Sequence, residues 1–395
     1  NTLETDIEVT ADLDFSASNL TLPLGAFSNG TCVTFSGVFH GNGHSIKGLK
    51  MNNTNNERYN SAGLFCSLED ATVENLVIDS SCSFTGFNAG SLSDSVSGSS
   101  TLNKITNKAA VNGKWRTGGF VGCVRGSEQS TMVYFKSCVN DGTVTGSSGR
   151  AGGFVGDVYS SSNKTISIYS STNNGKVAGN AAFAGGFVGY LYSLESEYAG
   201  LDVMNSANKG IISSKQGMAC GIVCVCLEFN FNVNVVIRNS INKGSVNAGT
   251  TAYGITSNIT MARNVVSMGD VAGSSGSYTF WNAFTDVDLF YGLKDKCNNC
   301  GANATLFKHN TNTSLYEVIS NCEYVHNILN DESVNKHYGK MWSNELELVD
   351  NWVKPSSESE APTSCTQSSP VSMTLINGVS PFVIAALVFT CVFGF

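Results

Sequence analysis

The chain is poor in charge. Only 14% of its 395 residues are Asp, Glu, Lys or Arg, well under the usual share of roughly a quarter, and acidic residues outnumber basic ones to give a net charge of −8. No stretch gathers Lys and Arg together. A nucleic-acid partner is therefore disfavoured, because phosphate contacts need concentrated positive charge. Proline is scarce too, with five in all, and apolar residues are plentiful, which argues against a disordered chain. Between residues 60 and 280 no helical periodicity of useful length occurs.

What the chain has in place of these is self-similarity. "GGFVGCV" opens at 118, "GGFVGDV" at 152 and "GGFVGYL" at 185, with looser copies "AGLFCSL" at 62 and "CGIVCVC" at 220, so the successive copies from 118 to 220 are spaced by 34, 33 and 35 residues. A second motif keeps the same beat: "NKAAV" at 107, "NDGTV" at 140, "NNGKV" at 173, "NKGII" at 208 and "NKGSV" at 242. A fixed period of this length means a solenoid, propeller or array. Each repeat reads as three short β-segments, "GGFVGDVY", "KTISIYSS" and "GKVAG", separated by Asn, Gly and Ser. Three strands per turn fit a parallel β-helix, whereas a propeller needs four strands per blade and about 40–50 residues. The expected class is all-β, a right-handed parallel β-helix with a small C-terminal α/β cap.

Alternation assigns the faces, since neighbouring strand residues point to opposite sides. Phe120/Val124, Phe154/Val158 and Phe187/Leu191 stay apolar and should fill the coil, with Leu64/Leu68 and Ile222/Cys226 in the same columns. The other parity varies, through Cys123, Asp157 and Tyr190, and should face outward. By the same parity Cys66, Cys224 and Cys226 point inward, while Cys123 and Cys138 point outward. Val111, Val144, Val177, Ile212 and Val246 form a second inward column of β-branched residues. The copy "AGSLSDS" at 89–95 breaks the pattern, because it puts Ser91, Ser93 and Ser95 where core residues belong. Asn107, Asn140, Asn173, Asn208 and Asn242 should stack as a structural amide ladder at a turn. The Gly two residues after four of them suits a backbone of positive φ.

These motifs resemble the Glug-type repeats of secreted and surface proteins. "FSGVFHGNGHSIKGLKMNN" at 35–53, followed by "AGLF" and "ATVENLVI", is similar to the opening of that family, and the likeness covers roughly residues 30–275. It implies a right-handed parallel β-helix in an extracellular setting, of the anchored protist surface-protein type, and it transfers no catalytic residue.

Sites that carry chemistry elsewhere read as structural here. "GGFVGDV" fits neither GxxxxGK[ST] nor GxGxxG between a strand and a helix. A calcium-binding repeat would need Asp in every copy, and Asp157 is replaced by Cys123 and Tyr190. His40 and His44 sit in a glycine turn without two further zinc ligands nearby. A polysaccharide hydrolase needs two carboxylates within ~5–10 Å, and a lyase needs clustered acids with a base. Asp141 and Asp157 fall on different faces, and Arg125, Arg150 and Arg238 are scattered. The reading is therefore of a non-enzyme without cofactor or bound metal. Tyr159, Tyr190 and Tyr192, on the outward parity of adjacent turns, are the candidate binding patch, because exposed tyrosines stack on sugars and anchor interfaces.

The two ends suggest how the chain is delivered. It begins at Asn1 without Met, consistent with a removed leader. Seven sequons at Asn19, Asn29, Asn52, Asn163, Asn258, Asn303 and Asn312 suit a secreted glycoprotein. Cys297 and Cys300 in "CNNC", with Cys322 downstream, are the expected disulfide region. "SPFVIAALVFTCVFGF" runs apolar to the last residue after the small, polar "SSESEAPTSCTQSSPVS". That is the pattern of a GPI-attachment signal, with Ser364 the attachment residue and Ser368 the alternative. The resulting organisation is N-terminal turns and cap (1–61), β-helix repeats (62–277), a cap with a helix over 314–325 (278–352), a Ser/Pro/Glu-rich stalk (353–372) and the anchor signal (373–395). The functional expectation is a GPI-anchored protein on the outer face of the plasma membrane that binds glycans or cell-surface proteins without catalysis. A structural surface coat, or less favourably a polysaccharide-active enzyme, is the alternative.

Overall fold

The computed structural model describes residues 2–281 except 19, 28–29, 55–59, 126–130, 161–163, 194–197, 226–231, 258–260 and 268, together with 290–291, 297–298, 340–342 and 348–350. Among these residues there is no helix, and the chain winds as a parallel β-helix. One turn runs through Val139–Asn140, Val144–Gly146, Arg150–Gly152, Val155–Ser160 and Lys164–Tyr169, and Thr172–Asn173 opens the next. Each of these strands pairs in parallel with its counterpart one repeat away, building one sheet of 22 strands and another of 15. The register keeps Val144, Val177, Ile212, Val246 and Val271 in one column. Winding begins at once, since Thr2–Leu3 pairs with Thr34–Phe35 and Ile7–Glu8 with Phe39–His40. The helix expected over 314–325, the stalk and the anchor signal lie outside the described residues.

Three devices make successive turns superimpose. The first is the aromatic column. Phe120, Phe154 and Phe187 are fully buried, and their rings stack at 4.9 and 4.8 Å between centroids. Such edge-to-face contacts add to the burial that drives folding.

The second is the asparagine ladder. Asn107, Asn140, Asn173 and Asn208 each donate from Nδ2 to Oδ1 of the next Asn at 2.8, 2.8, 2.8 and 2.7 Å. Each of the five also donates to the carbonyl two residues ahead, from Asn107 to Ala109 at 3.3 Å through Asn173 to Gly175 at 3.1 Å. All five amides are fully buried, and both amide hydrogens of the central ones are spent. The paired glycines of the other motif exist for this ladder. A β-carbon on Gly153 would lie 2.7 Å from Cγ of Asn173 and collide with the Gly186 carbonyl, and Gly119, Gly186 and Gly221 repeat the arrangement. The glycines that follow the ladder residues do not have the expected positive φ, which is confined to Gly25, Gly30, Gly43, Gly48 and Gly98. Their reason is close approach instead. A β-carbon at Gly175 would strike the Gly142 carbonyl, and at Gly210 the Gly175 carbonyl.

The third device is a left-handed corner. Asn75, Lys104, Ser137, Ser170, Asn205 and Asn239 have φ between 45 and 52°, so six successive turns of the smaller sheet each bend at one αL residue. Next to this corner runs a serine ladder. Ser171 Oγ accepts from the Cys138 N–H, Ser206 Oγ from Ser171 N–H, and Ser240 Oγ from Ser206 N–H, at 3.1–3.2 Å.

The cysteine assignments change accordingly. Cys138 is fully buried, not outward, because it takes the serine position of that ladder and its Sγ donates to the Leu102 carbonyl at 3.3 Å. Cys123 is fully buried as well, for the reason developed below. Cys66 is bridged to Cys32 and Cys224 to Cys220. A bulge pairs Leu191 with Val225, so Val225 holds the inward column; Cys226 lies outside the described residues. The turn at 89–95 is regular once moved by one position. Ser93 pairs with Val121 and Val96 with Val124, which puts Leu92 and Val96 in the core columns.

Candidate functional site

The coil has more than one buried compartment. The parity assigned to solvent is largely covered, since Cys123, Asp157 and Tyr190 are all buried. Val144, Ala151, Val177, Ala184, Ile212, Ala219, Val246 and Ala252 form a second apolar core on this side. Along its outer seam two columns meet. One is Ser95, Cys123, Asp157 and Tyr190, in register across four turns. The other is Arg116 opposite Arg150, continued by Phe183 and Met218, which precede the paired Ala184 and Ala219.

At the turns holding Arg116 and Arg150 the seam is charged. Asp157 is completely buried. Its Oδ2 accepts from Arg116 Nε at 3.1 Å and from Arg150 Nη1 at 2.7 Å. Its Oδ1 has no hydrogen-bond partner among the described residues. The side chains of Arg116 and Arg150 keep 23% and 18% exposure, so both remain partly open to solvent. The Arg150 guanidinium lies 4.5 Å from the Tyr190 ring centre, 5.4 Å from Trp115 and 5.5 Å from Tyr192, within cation–π range. Burial alone would lower the Arg150 pKa, but Asp157, Tyr190 and Tyr192 outweigh it and raise it. Two arginines against one aspartate leave a net positive charge. Partly desolvated charge of this kind is expensive unless paired.

On the neighbouring turn Arg125 donates from Nε to Cys123 Sγ at 3.2 Å. Burial pushes the Cys123 thiol up to about 11, with Arg125 and Arg116 opposing. On the turns beyond, the seam becomes apolar. Phe183 stacks on Tyr190 at 4.5 Å, and Cys220, Cys224 and Tyr253 pack with Phe183 and Met218.

The candidate residues are redistributed by this geometry. Asp157 is not an outward variable position, and Arg150 is not scattered from it. Tyr190 is buried at 3% exposure, so the three tyrosines do not form an exposed patch. Tyr192 is half-buried and leans on Tyr190 at 5.0 Å, while Tyr159 pairs with Tyr192 through the backbone and its side chain lies outside the described residues. Arg116 and Trp115 were not singled out from the sequence. The signal that could have found them is the spacing of seven between Arg116 and Cys123, Arg150 and Asp157, and Phe183 and Tyr190.

Other groups are occupied elsewhere. Asp141 Oδ1 accepts from Asn174 Nδ2 at 2.7 Å on the exposed surface, and Arg238 lies directly opposite Met204 in register and donates from Nη1 to its sulfur at 3.7 Å. His40 pairs with Glu74 at 2.8 Å and His44 with Asp12 at 3.6 Å, so the two histidines do not share a ligand. No cluster of three metal-ligating side chains occurs among the described residues. An acidic cavity of about 420 Å³ at the first turns is lined by Glu4, Asp6, Glu69 and Asp70. Two of its carboxylates are engaged by backbone N–H groups of Val38 and Ser99. Of the sequons, Asn52 is exposed, and its Oδ1 accepts from the Thr54 hydroxyl at 2.8 Å. Asn19, Asn29, Asn163, Asn258, Asn303, Asn312, Ser364 and Ser368 lie outside the described residues, as do Cys300 and Cys322. Cys297 adds a strand position opposite Phe280.

No family model matches the chain, and no curated protein matches it in sequence. Among solved structures it is similar to the crystal structure of a "putative immunoglobulin A1 protease" from Bacteroides ovatus, at 14% identity and a TM-score of 0.45, over 89% of this chain and 87% of that one.

Proposed function

We propose that the protein is an extracellular surface β-helix, attached through a GPI anchor at Ser364, that binds a ligand without chemical change along the outer seam around Arg116 and Arg150. The observation that carries this reading is the charged section of the seam. Two arginines are held stiffly around a buried aspartate, at one place on an otherwise repetitive coil, with Trp115 and Tyr192 half-exposed beside them. The coil does not need that charge to close, since the following turns fill the same columns with Phe183, Tyr190 and Met218. Partly exposed arginine and aromatic side chains are the groups that dominate recognition surfaces. Two disulfides fit an oxidising, extracellular setting. Hydrolysis is less well supported, because the groups that converge are one acid and two guanidiniums where a glycosidase uses two carboxylates. The test is saturable binding of the anchor-deleted ectodomain to cells and to a glycan array. A surface coat would instead show high abundance and dense packing with no saturable ligand.

A further inference from the structure

The groups left over on the seam indicate what kind of ligand it takes. Each arginine spends a single N–H on Asp157, Arg116 its Nε and Arg150 one Nη1, although a guanidinium carries five donors in a fixed fork. Both bonds converge on one oxygen of the carboxylate, so the aspartate orients the two forks without saturating them. Together the three residues carry one net positive charge, which a monoanion balances. A planar carboxylate matches a guanidinium fork through paired, charge-assisted hydrogen bonds. The aromatic neighbours add a second requirement. The Arg150 guanidinium is flanked by Trp115, Tyr190 and Tyr192, and Tyr190 is buried, but Trp115 and Tyr192 are half-exposed. Half-exposed rings beside a cation suit a flat or ring-shaped ligand with an apolar face. A carboxylate joined to a ring with an apolar face and hydroxyls is an acidic sugar.

We infer that the seam binds a carboxylated sugar, a sialic or uronic acid at the end of a glycan. Its carboxylate would lie on Arg116 and Arg150 and its ring against Trp115 or Tyr192. Asp157 is a positioning residue that holds both arginines. The inference rests on the ligand-binding reading above and adds the class of ligand.

The experiment titrates the disulfide-intact ectodomain with sialyl-lactose, a glucuronate-terminated oligosaccharide, lactose and sulfo-lactose. Binding is measured for the wild type, Arg116→Gln, Arg150→Lys, Tyr192→Ala and the distant control Arg238→Gln. At least one of the two carboxylated probes should bind, and lactose should not. Arg116→Gln should weaken that binding roughly 10- to 100-fold, the scale of a lost hydrogen bond to a charged group. Arg150→Lys, which keeps the charge but loses the fork, should weaken it comparably, and Arg238→Gln should change nothing. Binding should also fall with added salt. If Arg150→Lys proves unfolded by its melting curve, Arg116→Gln and Tyr192→Ala at the half-exposed positions still decide the matter. Equal binding of lactose, tighter binding of sulfo-lactose than of either carboxylate, or unchanged binding by Arg116→Gln would each overturn the carboxylate assignment while leaving a ligand-binding protein. Absence of saturable binding to any probe, glycan array or cell would remove both.

Discussion

The asparagine ladder and the outer seam obey opposite sequence rules on one backbone register. In the ladder, five turns place the same amide in the same column, and every donor meets an identical acceptor 2.7–2.8 Å away. In the seam, the same five turns read Ser95, Cys123, Asp157, Tyr190 and Cys224, a different chemistry each time, and yet all are buried. The ladder is uniform because an amide hydrogen-bonds to its own copy, so any other residue would orphan the turns above and below. The seam tolerates change because its residues find their partners within one or two turns: Arg116 and Arg150 on one oxygen of Asp157, Phe183 on Tyr190, Cys220 bridged to Cys224. A repetitive scaffold thus leaves one strip free to carry something specific.

Perturbations of the two regions should differ in the same way. The largest effect belongs to the ladder. Asn173→Ala leaves the Asn140 amide without its acceptor and the Asn208 carbonyl without its donor, all in full burial, and should destabilise the coil by roughly 3–5 kcal/mol in denaturant melts. A cost below about 1 kcal/mol would mean the ladder is decoration. In the seam, the buried Cys123 thiol should make stability pH-dependent. Its folded pKa of about 11 lies above the ordinary 9.0, so its neutral form stabilises the fold fully below pH 9 and that contribution disappears as pH rises through 11. Cys123→Ala should remove about 2–3 kcal/mol of the alkaline loss, and an unchanged alkaline slope would place the thiol in solvent. Asp141→Ala, on the exposed rim next to the ladder, should shift stability by no more than about 0.5 kcal/mol.

The smallest effect lies at the first turns. The Lys47 ammonium and the Ser45 N–H hold Asp12 below its ordinary 3.8, and the Ser81 N–H does the same for Asp79. Their stabilisation is present above that value and lost as pH falls through the lower folded pKa. Amide protection factors, taken relative to the intrinsic exchange rate at each pH, should therefore fall in the first turns on acidification while those of the 107–242 ladder hold.

The ladder and the aromatic column were legible in the sequence because one residue type recurs at a fixed period, and a parallel coil converts period directly into stacking. The seam was not, for two physical reasons. Alternation says only that a side chain leaves the Phe120/Phe154/Phe187 column, and here Cys123, Asp157 and Tyr190 leave it for a buried seam. The uniform Val121, Val155, Val188 and Val223, on the supposed outer parity yet fully buried in the main core, were the available clue. The second reason is that Asp157 joins residues from two turns, Arg150 seven positions before it and Arg116 forty-one before it, a pairing visible only once the register is known. The glycine motifs show the same limit. Their recurrence was plain, but whether they answered a φ requirement or a close contact needed the asparagine packed against them.

The central claim is that the coil stands without its charged trio and that the trio is there for a ligand. The direct test replaces Arg116→Met, Asp157→Leu and Arg150→Met together, following the apolar residues that already occupy these columns on the next turns, and measures melting and sialyl-lactose and glucuronate binding on the same preparation. Exchanging a buried ion cluster for apolar side chains of similar size is often neutral or stabilising. The triple variant should melt at or above the wild-type temperature, with saturable binding gone. A coil that unfolds on this exchange, or one that keeps binding its ligand at wild-type affinity, would contradict the claim.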